Sequence, residues 1–306
     1  MTIGAPTEEA GSLLREGVKT LHLAGRETAR LDAELLLGDA LGLDRTIILA
    51  HPELPVGADA AARYRAGLHR RAAGEPVAYI RGTKEFYGIT FSVDRRALIP
   101  RPETERLVEL AEAEVRRRTA AVRAADDPPI RVVDVGTGSG AIAVGLAVGL
   151  RRPGATAPVR ILGLDVSAEA LDLARDNAVG HGVDDVVAFA QSDLLGGEAA
   201  AAGSPFDLVL ANLPYVRSDA LAGLPIAASF EPPLALDGGV DGLALIERLL
   251  RQLPDAIAVD GLALLEIGSD QDGLIVERCK RVLPGWRCRV EADLAGLPRV
   301  ARISRA

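Results

Sequence analysis

The residues best suited to chemistry lie in one segment, Asn212-Leu213-Pro214-Tyr215, directly after an apolar run that ends at Ala211. The Asn212 side-chain oxygen can accept one N–H of a planar amide or amino group, and the Leu213 carbonyl is placed to accept the other. Two acceptors used in this way hold the nitrogen with its lone pair facing outward. Pro214 bends the chain and Tyr215 flanks the slot. The pattern predicts a site that presents a nitrogen for reaction, although a proline-bearing turn without such a role fits equally well.

A second candidate site is a glycine-rich turn between an apolar run and an uncharged helical stretch. It reads Asp134-Val135-Gly136-Thr137-Gly138-Ser139-Gly140. Glycines let the backbone turn tightly and approach a ligand closely, and the helix that begins at Ala141 offers free N–H groups. The strand–turn–helix context favours a nucleotide-like ligand. A dinucleotide fingerprint and a purely structural turn also fit these residues.

Carboxylates follow the next two predicted strands. Asp165 closes a run of apolar residues, where an acidic side chain can accept hydrogen bonds from both ribose hydroxyls of an adenosine. Asp193 follows the third strand, where its carboxylate could accept from an adenine amino group. Either aspartate also suits the start of a helix, although Ser167 is equally able to cap the helix after Asp165. Together these residues predict an adenosine-binding edge.

The elements that must position these residues alternate between strand and helix after residue 100. Buried strands are predicted over 130–133, 159–164, 186–189, 207–210 and 261–267. Such alternation is typical of a mostly parallel sheet covered on both faces, with its sites beyond the carboxyl ends of the strands. The stretch 198–202 is interpreted as an alanine-rich loop.

The first hundred residues have a different pattern. Helices are predicted to begin near residues 7–9, near Thr28 and at Ala58, the second ending at Gly42, and no strand is expected before residue 77. The β-prone runs 77–80 and 89–93 predict a hairpin, and Pro100 and Pro102 mark a hinge. We therefore expect a helical domain over 1–75, a β-hairpin linker over 76–100 and a second domain over 101–306.

Composition excludes several classes of protein. With 48% hydrophobic and 25% charged residues the chain is not disordered, and its net charge of −8 and 3% aromatic content argue against phosphate-driven or stacking-driven nucleic-acid binding. Residues 101–306 carry the whole net charge, since residues 1–100 hold 13 basic and 13 acidic side chains.

The two cysteines and four histidines lack metal-ligand spacing. No signal peptide or membrane-length apolar run is recognised, so a cytoplasmic location is expected.

The chain resembles the release-factor glutamine methyltransferases, the HemK or PrmC family. Asn212-Leu213-Pro214-Tyr215 is similar to the Asn-Pro-Pro-Tyr motif of methyltransferases that act on amide or exocyclic amino nitrogens. The most specific likeness is the string Leu98-Ile99-Pro100-Arg101-Pro102-Glu103-Thr104-Glu105. Further likeness lies in residues 31–37, 85–88, 134–140, 165, 231–236 and 266–268. The resemblance therefore covers nearly the whole chain.

The resemblance implies a Rossmann-like class I methyltransferase sheet, an α/β fold, preceded by a small helical domain that recognises the substrate and by a β-hairpin linker. It implies S-adenosylmethionine as the methyl donor and, as substrate, the glutamine of the Gly-Gly-Gln motif of class-1 peptide chain release factors, with neither membrane nor direct nucleic-acid binding. Catalysis would involve Asn212, Pro214 and Tyr215, and substrate binding those three with Leu213. The cofactor would be held by Asp134, Gly136, Thr137, Gly138, Ser139, Gly140, Asp165, Asp193, Leu194 and Asn212; no metal is implied.

Two positions depart from the family pattern. Leu213 replaces a second proline, which leaves the main-chain carbonyl in place but removes a constraint on φ. Leu194 stands where relatives often place an aromatic side chain beside the adenine. Activity is expected to survive the change at Leu213.

Three alternatives stay open from the sequence. A methyltransferase of adenine or guanine amino groups in nucleic acid would use the same slot. So would the sister family that methylates a glutamine of a large-subunit ribosomal protein, although its segment before the glycine turn differs. A non-catalytic module that binds S-adenosylmethionine would also keep the glycine turn. A nicotinamide dehydrogenase is disfavoured, because it explains neither Asn212 and its neighbours nor Asp134.

Overall fold

The computed structural model describes residues 7–120, 128–151 and 159–306 of the chain. Contacts divide them into two compact units. The first comprises the described residues up to Thr83 together with Pro225–Phe230, and the second comprises Lys84–Leu224 and Glu231–Ala306, apart from the residues left undescribed. Within the described ranges no helix combines the length and apolar character needed to cross a bilayer.

The first unit is built mainly from helices: α1 (Ala10–Leu23), α2 (Ala29–Leu41), α3 (Arg45–Ala50), α4 (Ala58–Ala72) and α5 (Val77–Arg81). Its core contains Leu13, Leu37 and Tyr64, which are almost fully buried. The predicted helices near Thr28 and Ala58 are confirmed, and α2 ends at Gly42, whose φ of 64° is the left-handed conformation that glycine adopts freely. Helix α3 was not predicted.

Two predictions for the first unit are wrong. Short strands β1 (Glu8–Glu9) and β2 (Pro55–Val56) pair antiparallel before residue 77, and two residues are too few to leave a period in the sequence. The predicted strand over 77–80 is helix α5, between Pro76 at its N-cap and Gly82 in the left-handed conformation. Tertiary packing of Tyr79, which is buried, outweighs the β propensity of its neighbours.

The hairpin lies slightly later in the chain than predicted. Its strands are β3 (Thr83–Phe86) and β4 (Ile89–Ser92), joined by Tyr87 and Gly88. Both joining residues have positive φ, 53° and 75°, as a two-residue hairpin turn requires. Phe86 and Phe91, both buried, contact edge to face with ring centroids 5.9 Å apart, which joins the two strands.

Seven of the described strands form one sheet in the second unit: β5 (Ile130–Val135), β6 (Val159–Asp165), β7 (Val187–Gln191), β8 (Phe206–Ala211), β9 (Ile257–Glu266), β10 (Trp286–Ala292) and β11 (Pro298–Arg305). The strand order is β10-β11-β9-β8-β5-β6-β7. Strands β5 to β9 pair in parallel, whereas β10 and β11 pair antiparallel at one edge. The parallel strands confirm the predicted Rossmann-like sheet, and the antiparallel pair at its edge was not predicted.

Helices of the second unit pack against this sheet and against each other: α6 (Glu105–Ala120), α7 (Ala141–Arg151), α8 (Ala168–Gly180), α9 (Glu198–Gly203), α10 (Ala244–Ala256) and α11 (Asp272–Val282). The predicted alanine-rich loop is wrong, because α9 occupies it. Alanine is the strongest helix former, and a single turn after Gly197 suffices to bury Ala200.

The chain order reverses in the middle of the sheet. From β5 the chain moves outward to β6 and β7, then returns to β8 on the other side of β5. A crevice opens at such a point beyond the carboxyl ends of the strands, and ligands bind there in open α/β sheets. The ends of β5 and β8 therefore mark where a site is expected.

Candidate active site

The glycine-rich turn leaves β5 at the middle of the sheet. The amides of Gly136 and Thr137 both donate to the Leu164 carbonyl, at 2.8 and 2.9 Å, so the turn is fastened to the neighbouring strand β6. Gly136, Gly138 and Gly140 have φ of 73°, 55° and 79°, which L side chains rarely adopt. A Cβ on Gly140 would also lie 3.3 Å from the Ala174 Cα. The glycines are thus required by the backbone itself.

Asp165 holds the turn in place. Its Oδ2 accepts from the Gly138 amide at 2.9 Å and its Oδ1 accepts from the Ser167 amide at 2.9 Å. Ser167 caps α8 through its own hydroxyl, 3.1 Å from the Ala170 amide. Each carboxylate oxygen can accept further bonds, so the predicted contact with a ribose stays a prediction.

Asp134 is a completely buried carboxylate within the turn. Its Oδ2 accepts from the Thr137 hydroxyl at 2.6 Å and from the Ala143 amide at 3.3 Å, while Oδ1 has no hydrogen-bond partner among the described residues. Burial raises the pKa of Asp134 to about 7, although the two hydrogen bonds to its carboxylate lower the pKa. A buried acidic oxygen without a partner suits a positively charged ligand group.

The third predicted carboxylate has a different environment. Asp193 is exposed, and its Oδ2 accepts from the Arg248 side chain at 2.6 Å. Leu194 is buried with a φ of 55°, a strained conformation for leucine, and its carbonyl accepts from the Ser192 hydroxyl at 2.8 Å. The structure therefore puts Leu194 inside the fold and engages the Asp193 carboxylate with an arginine.

The segment that begins at Asn212 follows β8 and lies beside the glycine turn. Leu213 is buried, and its Cδ2 is 2.9 Å from where a Cβ on Gly136 would stand. The Asn212 amide donates through Nδ2 to the Thr104 hydroxyl at 3.0 Å. With Nδ2 oriented in this way, Oδ1 is the acceptor that Asn212 can offer to a ligand. The two sequence motifs thus come together where the chain order reverses.

Tyr215 contacts a second buried carboxyl. Its hydroxyl donates to Glu266 Oε1 at 3.3 Å, at the end of β9. Burial and the nearby Glu266 charge raise the pKa of Tyr215 to about 12, so this phenol remains a donor at neutral pH. Burial also raises the pKa of Glu266 to about 7. Glu266 belongs to a segment that carries the family resemblance, but the sequence alone assigned it no role.

The loop after Tyr215 is closely packed on the segment 212–215. The Gly238 amide donates to the Val216 carbonyl at 2.8 Å, and a Cβ on Gly238 would lie 2.7 Å from the Pro214 carbonyl oxygen and 2.8 Å from the Tyr215 Cα. The Gln271 side chain donates to the Tyr215 carbonyl at 3.0 Å. These contacts fix the backbone of the slot, and no motif in the sequence predicts them.

The Pro-Arg-Pro segment is fastened through Glu231. This buried carboxylate accepts from the Ile99 amide at 3.2 Å and from the Arg101 guanidinium at 2.6 Å. Thr104 follows three residues later and reaches Asn212. In the parts of the chain that the structure describes, no three His, Cys, Asp or Glu side chains cluster as a metal site.

Comparison with known proteins shows similarity along almost the whole chain. Residues 12–82 match the family described as PrmC N-terminal domain, and residues 126–260 match the family described as a methyltransferase domain. A release factor glutamine methyltransferase of Deinococcus radiodurans is 37% identical over 96% of this chain and 98% of its own length. One of Moorella thermoacetica is 40% identical over 94% of this chain and 95% of its own.

Among solved structures, the hMettl16 catalytic domain in complex with a MAT2A 3′UTR hairpin has a TM-score of 0.55. The two sequences are 12% identical, and the match covers 83% of this chain and 84% of that chain. A likeness at this identity shows the methyltransferase fold alone.

Proposed function

Because the chain belongs to the release factor glutamine methyltransferase family, we propose that it methylates the side-chain amide nitrogen, N5, of the glutamine in the Gly-Gly-Gln motif of class-1 release factors. The protein is an S-adenosylmethionine-dependent protein-glutamine methyltransferase. The observation that carries the assignment to a glutamine is the similarity to release factor glutamine methyltransferases over almost the whole chain. The hydrogen bond from Asn212 Nδ2 to Thr104 supports it, because it leaves Oδ1 as an acceptor for a substrate N–H beside the glycine turn.

Several residues fit the methyl donor. The unpartnered Oδ1 of Asp134 suits the cofactor's ammonium group, the glycines let a ligand approach the turn closely, and Asp165 can accept from ribose hydroxyls. When bound, S-adenosylmethionine supplies a methyl carbon made electrophilic by its sulfonium. We propose that Gly136, Thr137, Gly138, Ser139, Gly140, Asp193 and Leu194 complete the cofactor site.

An amide nitrogen is a poor nucleophile, because its lone pair is delocalised into the carbonyl. Asn212 Oδ1 and the Leu213 carbonyl would accept its two N–H bonds and orient the lone pair. Orientation of this kind is worth up to about 7–11 kcal/mol of barrier. The same acceptors stabilise the positive charge that develops on the nitrogen as it attacks, and one of its protons is then lost to water. Pro214 and Tyr215 shape the slot.

The release factor itself would be recognised outside the slot. We propose that the helical segment 1–75 and the linker 76–100 contact the release factor, while residues 101–306 carry out the transfer. We further propose that the enzyme works in the cytoplasm, where translation is terminated, without binding a membrane or nucleic acid. The net charge of −8 supports the last point.

The direct test is to incubate the protein with purified class-1 release factors and methyl-labelled S-adenosylmethionine, then to map the label by peptide mass spectrometry. We expect one methyl group on the glutamine of the Gly-Gly-Gln motif. A release factor with glutamate in place of that glutamine is the control and should stay unlabelled. Label on a ribosomal-protein glutamine or on nucleic acid, with none on release factors, would contradict the proposal.

The affinity for S-adenosylmethionine should depend on pH through Asp134. The pKa of this carboxyl is about 7 in the free protein, and only its ionised form attracts a cation. Affinity should therefore weaken as pH falls, by up to about tenfold per unit below pH 7. Calorimetric dissociation constants between about pH 5.5 and pH 7.5 measure this.

The matched variants are Asp134→Asn and Asp184→Asn, the second at an exposed carboxylate. We expect Asp134→Asn to bind weakly at every pH with little slope, and Asp184→Asn to follow the wild type. An unchanged slope in Asp134→Asn would show that another group titrates.

A further inference from the structure

Asn177 on α8 joins the hairpin to the glycine turn through three hydrogen bonds. Its Oδ1 accepts from the Ser92 amide at 2.8 Å, and its Nδ2 donates to the Ser92 carbonyl at 3.1 Å and to the Ser139 carbonyl at 2.9 Å. Ser92 is the last residue of β4, and Ser139 lies in the turn between β5 and α7. Asn177 itself is 4% exposed. One buried amide therefore holds together two segments that are distant in the sequence.

The two bonds to Ser92 fix the orientation of the Asn177 amide. A primary amide has two N–H donors and one carbonyl acceptor, and Asn177 uses the acceptor and one donor on the backbone of Ser92. A reversed amide would face the Ser92 N–H with a donor and the Ser92 carbonyl with an acceptor. The remaining N–H is therefore directed at Ser139, and the position of the Ser139 carbonyl depends on the position of β4.

Apolar packing on two sides of the turn supports this link. On α8, the Cα of Ala174 is 3.3 Å from where a Cβ on Gly140 would stand. After the hairpin, the Cβ of Ala97 is 3.8 Å from where a Cβ on Gly138 would stand, and Ala97 is buried against residues of α8. The turn thus lies between α8 and the segment that follows the hairpin, and Asn177 supplies a polar connection among all three.

We propose that Asn177 is a positioning residue for the methyl donor: with the end of β4 as its anchor, it holds the Ser139 carbonyl, and with it the glycine turn, in the conformation that binds S-adenosylmethionine. This inference rests on the proposed function, since it takes the glycine turn as the cofactor site. Asn177 acts through Ser139 and not on the reacting atoms. Because such coupling is reciprocal, cofactor binding also stabilises the end of β4, within the linker that we propose to contact the release factor.

The first test compares Asn177→Leu with His181→Phe. Leucine is close to asparagine in volume but makes none of the three hydrogen bonds. His181 also fastens β4 to α8, since its Nε2 donates to the Thr90 carbonyl at 2.8 Å, and its replacement leaves the bond to Ser139 intact. We expect the dissociation constant for S-adenosylmethionine to rise about tenfold in Asn177→Leu, as loss of a buried hydrogen bond implies, and to stay within about twofold of wild type in His181→Phe.

Steady-state kinetics separate positioning of the cofactor from a general loss of structure. In methyl transfer to a release factor, most of the effect of Asn177→Leu should appear in KM for S-adenosylmethionine rather than in kcat, because Asn212 and Leu213 are unchanged. If a folded Asn177→Leu has the wild-type dissociation constant, or if His181→Phe weakens binding equally, the bond to Ser139 does not position the cofactor and the proposal is overturned.

The second test needs no substitution. Amide hydrogen exchange of the wild type is followed by NMR with and without S-adenosylhomocysteine, which occupies the cofactor site without reacting. The Ser92 amide should exchange at least about fivefold more slowly with the ligand bound. The Tyr87 amide of the same hairpin donates to Glu105 at 3.0 Å and should exchange at its ligand-free rate. Unchanged exchange at Ser92 would overturn the proposal. Exchange and cofactor affinity are both measured without a release factor, so failure to methylate any release factor would instead refute the proposed function.

Discussion

Replacing Asn212 with alanine should lower kcat by about 10²–10³-fold, the loss typical of removing one preorganised polar group that stabilises developing charge. Asn212 Oδ1 is the only side-chain acceptor that we assign to the substrate amide, since Nδ2 is bound to Thr104. Without it the glutamine nitrogen keeps one acceptor, the Leu213 carbonyl, and can rotate about that bond. Single-turnover methyl transfer to a purified release factor measures the loss.

The affinity of Asn212→Ala for S-adenosylmethionine shows whether the substitution removes only the acceptor for the substrate amide or disturbs the whole site. Asp134 and the glycine turn stay intact in Asn212→Ala, so the dissociation constant of the cofactor should change by no more than a few-fold. Ser218→Ala is a matched control, because it shortens a side chain on the same loop that bonds to Asp237. Its kcat should equal that of the wild type. If Asn212→Ala retains most of its rate, the slot assigned here does not orient the amide.

The central parallel strands β5 and β8 could be predicted because they are buried along almost their whole length and appear as largely apolar runs. Strands β10 and β11 were not predicted, because they are only partly buried and do not appear as continuous apolar runs. Strand β10 alternates apolar and charged residues from Trp286 to Ala292, a pattern of a half-exposed antiparallel strand. Helix α5 was mistaken for a strand because Val77, Tyr79 and Ile80 favour strands locally, while packing decides their conformation.

The arrangement of the candidate site could be predicted only where its residues are consecutive in the sequence. The glycine turn and the segment from Asn212 to Tyr215 each form one motif, and the sheet brings them together as parallel strands require. Thr104 and Glu266 lie 108 and 51 residues from the partners they contact, Asn212 and Tyr215. Their contacts arise from the tertiary fold. A single sequence shows that these residues belong to strings resembling the family but not which atoms they meet.

Gly238 is another residue whose surroundings are set by tertiary packing. Its substitution is the second change for which we expect a large loss of kcat. Substitution by alanine should lower kcat by about 10²-fold, the cost of displacing a catalytic group by about 1 Å. The added Cβ would stand 2.5 Å from the Gly242 carbonyl oxygen, 2.7 Å from the Pro214 carbonyl oxygen and 2.8 Å from the Tyr215 Cα. All three are backbone atoms, so no side-chain rotation can relieve the contact. The backbone of this loop and of the segment 212–215 packed on it cannot both keep their positions.

The matched control is Gly223→Ala, at an exposed glycine of the same loop where a Cβ would meet nothing within 4 Å. It should retain wild-type kcat, which separates the effect of the contact from that of adding a methyl group to the loop. The melting temperature and far-ultraviolet circular dichroism of Gly238→Ala show whether the sheet survives. Loss of kcat with the sheet intact would mean that backbone position governs this reaction. Wild-type kcat in a folded Gly238→Ala would mean that the slot tolerates displacement, and that orientation of the amide contributes far less than its geometry implies.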